Sequence, residues 1–66
     1  MKDDLIPLIE TTKILYNDID DCISKLCKYR LDGDKKKAER QECRMENLMV
    51  QTLQQLDCII NEIEKL

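Results

Sequence analysis

Gly33 is the only glycine in the 66-residue sequence, and an aspartate stands on each side of it, Asp32 before and Asp34 after. Glycine adopts the positive φ angle that ends many helices, and aspartate is among the preferred residues for capping the start of one. A connection this short makes the two flanking helices antiparallel neighbours. The predicted elements are a helix over about 4–31, a turn over about 32–34 and a helix over about 35–66.

Pro7 is the other residue that restricts helix placement. Proline is tolerated in the first turn of a helix, where its missing N–H costs no hydrogen bond. We therefore expect the first helix to begin shortly before Pro7, with Asp3 or Asp4 as its N-cap.

The apolar residues of the first helix recur with a seven-residue period, which predicts one continuous buried stripe. Thr12 is the single polar residue within it. The predicted stripe consists of Leu5, Leu8, Leu15, Ile19, Cys22, Leu26 and Tyr29, with Ile9, Tyr16 and Ile23 alongside.

The second helix begins with the charged segment "DKKKAERQECR", which offers a core only Ala38 and Cys43. Acids alternate with bases there, which favours a solvated helix start over a phosphate-binding patch. The apolar residues of 19–31, which an antiparallel turn places opposite this segment, then need other cover. The predicted stripe of the second helix is Met45, Met49, Leu53, Leu56, Ile59, Ile60, Ile63 and Leu66.

These patterns predict an all-α fold, an antiparallel two-helix hairpin in a single domain. A chain this short barely offsets the entropy of ordering itself. We expect the hairpin to be completed to a three- or four-helix bundle, either by a third helix outside this sequence or by self-association as a homo-oligomer.

Composition narrows the class of partner. Fourteen acidic residues against eleven basic ones give a net charge of −3, and neither Trp nor Phe is present. We therefore expect no nucleic-acid partner. The sequence has no apolar run long enough for a membrane span and no basic, apolar signal peptide at its start, so we expect a cytoplasmic protein without a membrane partner.

The four cysteines are expected to be reduced, because a cytoplasmic chain rarely carries disulfides. They lack CxxC spacing and the sequence has no histidine, so we expect no zinc or other metal site and no cofactor. Ser24 is the only serine and has no adjacent base. With no glycine-rich phosphate loop either, we expect no catalytic residues and no enzymatic activity.

Three segments resemble the first two helices of a BAG domain, the co-chaperone module that binds the ATPase domain of DnaK-type heat-shock chaperones. They are "LYNDIDDCISKLCKY", the turn "DGDK" and "ENLMVQTLQQLDCI". The family's first helix has an acid–apolar–acid run, matched by 18–20. The second ends in a Leu-x-x-Leu-Asp pattern, matched by 53–57. Further apolar matches are Cys22, Leu26, Tyr29, Leu48, Met49 and Ile59.

The resemblance implies that Glu46, Asn47 and Asp57 contact the chaperone. The family's acid ten residues before the Leu-Asp aspartate falls on Asn47, with Glu46 adjacent. The family's third helix, which supplies an Arg and a Gln to that interface, has no counterpart in these 66 residues. The implied mechanism is that binding favours an open nucleotide cleft and so speeds ADP release.

Two alternatives remain open. The segment "LQQLDCIIN" is similar to the Ser-Gln-x-Leu-Asp signature of sporulation aspartyl-phosphate phosphatases, which are short acidic helical hairpins acting on response regulators. Gln54, Leu56, Asp57 and Asn61 match, and Leu53 replaces the serine. The other alternative is a purely structural coiled-coil assembly subunit. In that case Asp57, which we expect just beside the buried stripe, is an ordinary solvated charge.

Overall fold

The computed structural model describes the backbone of residues 2–66 and the side chains of residues 4–66. It consists of two helices, α1 (Lys2–Leu31) and α2 (Lys35–Glu64), which pack against each other in antiparallel directions. The predicted all-α hairpin is confirmed. The molecule is a rod with principal extents of 50 × 14 × 10 Å.

The start of α1 differs from the prediction. Because α1 begins at Lys2, Pro7 lies inside the helix rather than in its first turn. The backbone at Asp4 is helical, so Asp4 is not an N-cap, and the side chain of Asp3 lies outside the described ones. Proline at this position removes one backbone hydrogen bond near the helix start. The Thr11 hydroxyl donates to the Pro7 carbonyl oxygen at 2.9 Å, a bond that ties this stretch to the next turn.

Gly33 ends α1 in the left-handed conformation, with φ of 73°. The Asp34 amide donates to the Tyr29 carbonyl oxygen at 2.9 Å, and the Gly33 amide donates to the Arg30 carbonyl oxygen at 3.2 Å. This pair of bonds is the Schellman motif, which satisfies carbonyl groups that a helix end otherwise leaves unpaired. The predicted role of Gly33 is confirmed.

Asp34 begins α2 directly after this motif. Its side-chain Oδ1 accepts a hydrogen bond from the Lys37 amide at 3.2 Å, which is the N-cap arrangement expected from the sequence. The ammonium group of Lys37 also lies 5.6 Å from the centre of the Tyr29 ring, within range of a cation–π interaction. Both helix ends are therefore satisfied within a few residues of Gly33.

The seam between the helices follows a strict heptad spacing of alternating three- and four-residue steps. We label heptad positions so that the seam residues are a and d, with Leu5 and Ala38 each at a. Along these positions every side chain is buried or half-buried. The seam residues are Leu5, Leu8, Thr12, Leu15, Ile19, Cys22, Leu26 and Tyr29 of α1, and Ala38, Gln41, Met45, Leu48, Thr52, Gln55, Ile59 and Glu62 of α2.

The stripe predicted for α1 is confirmed at positions a and d, whereas Ile9, Tyr16 and Ile23, predicted alongside it, are exposed. The stripe predicted for α2 is largely wrong. Met49, Leu53, Leu56, Ile60 and Ile63 are all exposed, and polar residues occupy much of the α2 side of the seam. Two of the polar seam residues, Thr12 and Thr52, satisfy their hydroxyls on the carbonyl oxygens of Leu8 and Leu48. Ala38 is buried as expected, whereas Cys43 is exposed rather than in the core.

Little of the molecule is buried. Within residues 4–66, only Cys22, Ala38 and Leu48 are apolar and fully or nearly fully enclosed. The accessible surface is 5272 Å², against about 4400 Å² for a compact monomer of this mass. The hairpin therefore exposes about 900 Å² more surface than a compact monomer of its mass would. This difference is comparable to the roughly 800 Å² that each partner buries in a standard protein interface.

The turn generates a first prediction. Replacing Gly33 with Ala should destabilise the hairpin by about 1–2 kcal/mol, because the φ of 73° is strained for a residue with a Cβ although no atom lies within 4 Å of it. Gly33→Asn should cost less, since asparagine tolerates this conformation. Urea unfolding of the two variants measures both values, and a Gly33→Ala protein as stable as the wild type would contradict the turn geometry.

A second prediction concerns the thiols. Cys22 is fully buried in the seam, whereas Cys27, Cys43 and Cys58 are exposed, and none of the four forms a disulfide. Ellman's reagent should therefore modify three thiols rapidly in the folded protein and the fourth only as fast as the hairpin opens. Replacing the three exposed cysteines with Ser should leave one slow thiol and unchanged helicity. Four equally fast thiols would contradict the packing of Cys22.

Candidate functional site

The exposed apolar side chains are concentrated on one side of the hairpin. Of the residues at heptad positions b and e, nine are large, apolar and between 41% and 68% exposed. We call this set the apolar side. It comprises Ile6, Ile9, Tyr16 and Ile23 of α1 and Met49, Leu53, Leu56, Ile60 and Ile63 of α2.

Both helices contribute to the same side because of their antiparallel pairing. In an antiparallel pair, the e positions of the two helices flank one edge of the seam and the g positions flank the other. The one ion pair between the helices within residues 4–66 fits this rule, since Arg30 and Glu42 both occupy e. The four e positions of α1 within residues 4–31 and the four of α2 therefore share a common edge.

The opposite edge of the seam is polar. Its positions, c and g, carry two apolar side chains, Pro7 and Ile14, among residues that are otherwise polar, charged or cysteine. We call this the polar side. It comprises Asp4, Pro7, Thr11, Ile14, Asp18, Asp21, Lys25 and Lys28 of α1, and Lys37, Arg40, Arg44, Asn47, Gln51, Gln54, Cys58 and Asn61 of α2.

The apolar side has a charged end near the turn. At the b and e positions nearest Gly33, the sequence places Cys27 and Arg30 of α1 and Glu39, Glu42 and Glu46 of α2 instead of large apolar residues. Two b positions of α1 farther from the turn are also charged, Asp20 and Lys13. Arg30 and Glu42 neutralise each other across the seam. A pocket of about 340 Å³ beside the turn is lined by this pair together with Tyr29, Gly33, Asp34, Lys35, Ala38 and Glu39.

The three residues expected to contact a partner all lie on the outward half of α2 and are exposed. Asp57 occupies position f, on the surface directly opposite α1. Glu46 occupies b, at the edge of the apolar side, and Asn47 occupies c, on the polar side, so Asp57 lies between them around the helix. Glu46 and Asp57 are eleven residues apart, which is three turns and about 16 Å along the axis.

The environment of Asp57 differs from the one expected. Leu56 and Ile60, which were predicted to face the core beside it, are 41% and 51% exposed and occupy positions e and b, outside the seam. Asp57 therefore flanks an exposed apolar surface rather than a buried one. Its carboxylate forms no ion pair with any residue of 4–66, and the same holds for Glu46.

Sequence analysis missed the apolar side as a surface, although one signal for it was present. Ala38 is the only small apolar residue near the start of α2. A close approach to α1 needs a small side chain at the seam, so Ala38 indicates which position of α2 belongs to the seam. Counting heptads from Ala38 gives Met45, Thr52 and Ile59 as seam residues. The same count leaves Met49, Leu56 and Ile63 at e, outside the seam.

Within the part of the chain that is described, no three His, Cys, Asp or Glu side chains are grouped as a metal site requires. Neither helix has, over its described residues, a stretch sufficiently long and apolar to cross a bilayer.

Comparisons with protein-family models, with curated proteins and with solved structures found no match to this chain.

The seam generates a prediction of its own. The side-chain oxygen of Gln55 is buried and has no hydrogen-bond partner within the described residues. Gln55→Leu should stabilise the hairpin by roughly 1–2 kcal/mol, because it removes an unsatisfied polar group and adds apolar contact. Gln54→Leu, at an exposed neighbouring position, is the matched control and should change the free energy of unfolding by less than about 0.5 kcal/mol. A loss of stability in the Gln55 variant would show that this side chain is satisfied in solution.

Proposed function

We propose that this protein is a non-catalytic helical interaction module, and most concretely a BAG-like co-chaperone that binds the ATPase domain of a DnaK-type chaperone. The observation that carries the proposal is the exposed carboxylate of Asp57 on the outward half of α2, which has no ion-pair partner within residues 4–66. Glu46 and Asn47 lie about three turns away on the same outward half. A single partner surface approaching α2 from the side opposite α1 reaches all three residues.

The chemistry of such a contact is electrostatic. An exposed carboxylate can accept charge-assisted hydrogen bonds from Arg or Lys of another protein, which are stronger than bonds between neutral groups. Among the described residues, no ion pair has to be broken for Asp57 or Glu46 to be used. Binding then has to remove water only from the Asp57 and Glu46 carboxylates and from the groups that they contact on the partner.

The division of the surface supports the same proposal. In a bundle of three helices, the first two present a shared apolar side on which the third packs. The apolar side of this hairpin has that character, and Asp57 lies beside it rather than within it. A helix on the apolar side would leave the outer surface of α2 open to the chaperone.

Binding of this kind exchanges nucleotide without any bond being made or broken by the co-chaperone. A module that contacts the open form of the ATPase cleft better than the closed form shifts the population toward the open form. The ratio of open to closed populations then rises by at most the ratio of the two affinities, and ADP leaves faster because it dissociates from the open form.

A second candidate is favoured by a separate observation. Gln54, Asp57 and Asn61, which match the phosphatase signature, fall at i, i+3 and i+7 and are all exposed, so they form one polar strip on α2. Amide and carboxylate groups on one strip are suited to positioning a water or a phosphoryl group on a response regulator. Under this candidate Asp57 acts on the substrate.

The test compares Asp57→Ala with Glu64→Ala. Both acids occupy position f of α2 and are exposed, so the two variants remove one charge each from the same face. The Asp57 variant should bind a DnaK-type ATPase domain roughly tenfold or more weakly, which corresponds to the loss of one charge-assisted hydrogen bond. The Glu64 variant should bind within about twofold of the wild type. Circular dichroism should be the same for all three proteins.

The titration is made by calorimetry and paired with a phospho-regulator assay. Aspartyl-phosphate hydrolysis by the wild type that is lost in Asp57→Ala, with no chaperone binding, favours the second candidate. Absence of both activities in the wild type contradicts both, and leaves the assembly-subunit interpretation.

A further inference from the structure

The apolar side is an unpartnered surface formed by both helices, and we propose that its occupant is a second copy of this chain, turned end for end, so that two hairpins form an antiparallel four-helix bundle. The second copy takes the surface on which a third helix would otherwise pack, and it leaves Asp57, the residue of the chaperone proposal, exposed. The inference is carried by the area of the surface, by the distribution of apolar residues around α2 and by the position of the charges at its turn end.

The area matches what a dimer requires. Burying a Leu or Ile side chain fully corresponds to roughly 60–120 Å² of apolar surface, so nine side chains that are about half exposed present roughly 280–560 Å². A standard interface buries about 800 Å² per partner, of which roughly 60% is apolar. The apolar area that each partner contributes to a standard interface falls within the range that the apolar side presents.

The distribution of residues around α2 points to a bundle rather than to an isolated hairpin. In the C-terminal half of α2, positions a, e and b are mostly apolar, while position d carries Gln55 and Glu62. The centre of this apolar arc is e, at Met49, Leu56 and Ile63, and not the seam with α1. Helices whose apolar face includes e beside the seam are those that point into the core of a multi-helix bundle.

The charges select the relative direction of the two copies. Two-fold symmetry allows the turns to lie at the same end or at opposite ends. With both turns at one end, α1 of one copy packs on α2 of the other, and Asp20 comes level with Glu46 of the second copy, which places two acids together. With the turns at opposite ends, Glu39 and Glu42 project beyond the open end of the second copy into solvent. Ile23 is level with Glu42 and lies at the rim of the contact, so the other eight side chains of the apolar side form it.

The opposite-end arrangement also aligns the apolar residues. Leu56 is the middle member of the stripe Met49, Leu53, Leu56, Ile60 and Ile63, so a two-fold axis beside it sets α2 against α2 of the second copy. Leu56 then meets its own counterpart, Leu53 meets Ile60, and Met49 meets Ile63. Asp57, at position f, stays outside this contact.

The first experiment measures the dimer itself. Sedimentation equilibrium of the wild type over roughly 1–200 µM should show a reversible monomer–dimer equilibrium, with a thermal midpoint that rises with concentration. Leu53→Lys should raise the dimer dissociation constant by about a hundredfold or more, because each dimer would bury two unpaired charges. Val50→Lys is the matched control on the same helix, 53% exposed at position f, and should change the constant by less than about threefold.

The second experiment tests the direction and does not depend on how a disrupted variant folds. In a protein with Cys27, Cys43 and Cys58 replaced by Ser, Leu56→Cys should form an intermolecular disulfide under mild oxidation, since the paired Cα atoms must lie within about 7 Å. Ile63→Cys in the same background should not, because its counterpart lies on the order of 20 Å away along the axis.

Each outcome decides the proposal. A wild-type monomer at all concentrations overturns it and assigns the apolar side to another occupant, such as a third helix. Equal effects of Leu53→Lys and Val50→Lys overturn the choice of surface. A dimer in which Leu56→Cys fails to cross-link overturns the end-for-end arrangement.

Discussion

The left-handed turn at Gly33 is the constraint on which the rest of this structure depends. The Schellman bonds to Tyr29 and Arg30 fix where α1 ends, and the Asp34 cap fixes where α2 begins. Because the two helices are joined with no slack, their relative rotation is set at the turn and is carried along all 30 residues of each helix. Ala38, just inside α2, is small enough to allow the close approach that this rotation demands.

The apolar residues of α2 occupy positions a, e and b, and the centre of this arc is e. Because of the rotation set at the turn, α2 packs against α1 with positions a and d, so only the a edge of the arc faces α1. The seam accommodates Gln41, Thr52 and Gln55, and only three apolar side chains of residues 4–66 are well enclosed. The larger part of the apolar surface of α2 stays in contact with water, on the same side as the exposed isoleucines of α1. The hairpin therefore exposes most of its apolar surface along one defined side.

The two proposals use different parts of the same helix. The apolar side, at positions b and e, has the area and the residue pattern of a packing surface, and the outer surface at position f carries Asp57, whose carboxylate has no ion-pair partner among residues 4–66. If α2 assembles through positions b and e and binds a partner through position f, the free energies of assembly and of partner binding can be measured separately. The reason is that residues at f lie outside the packed contact. This separation is what allows single substitutions at Leu53 and Asp57 to distinguish assembly from recognition.

The sequence by itself determined the hairpin, the turn, the cap and the buried face of α1. Each of these depends on local rules: one glycine between two aspartates, and a seven-residue period interrupted only at Thr12. The sequence also indicated Glu46, Asn47 and Asp57, through a resemblance, and the structure places them on one exposed half of α2. Which face of α2 is buried was decided only by the tertiary structure. The apolar arc of α2 is wider than the seam can cover, so periodicity alone permits several rotations, and the turn selects one.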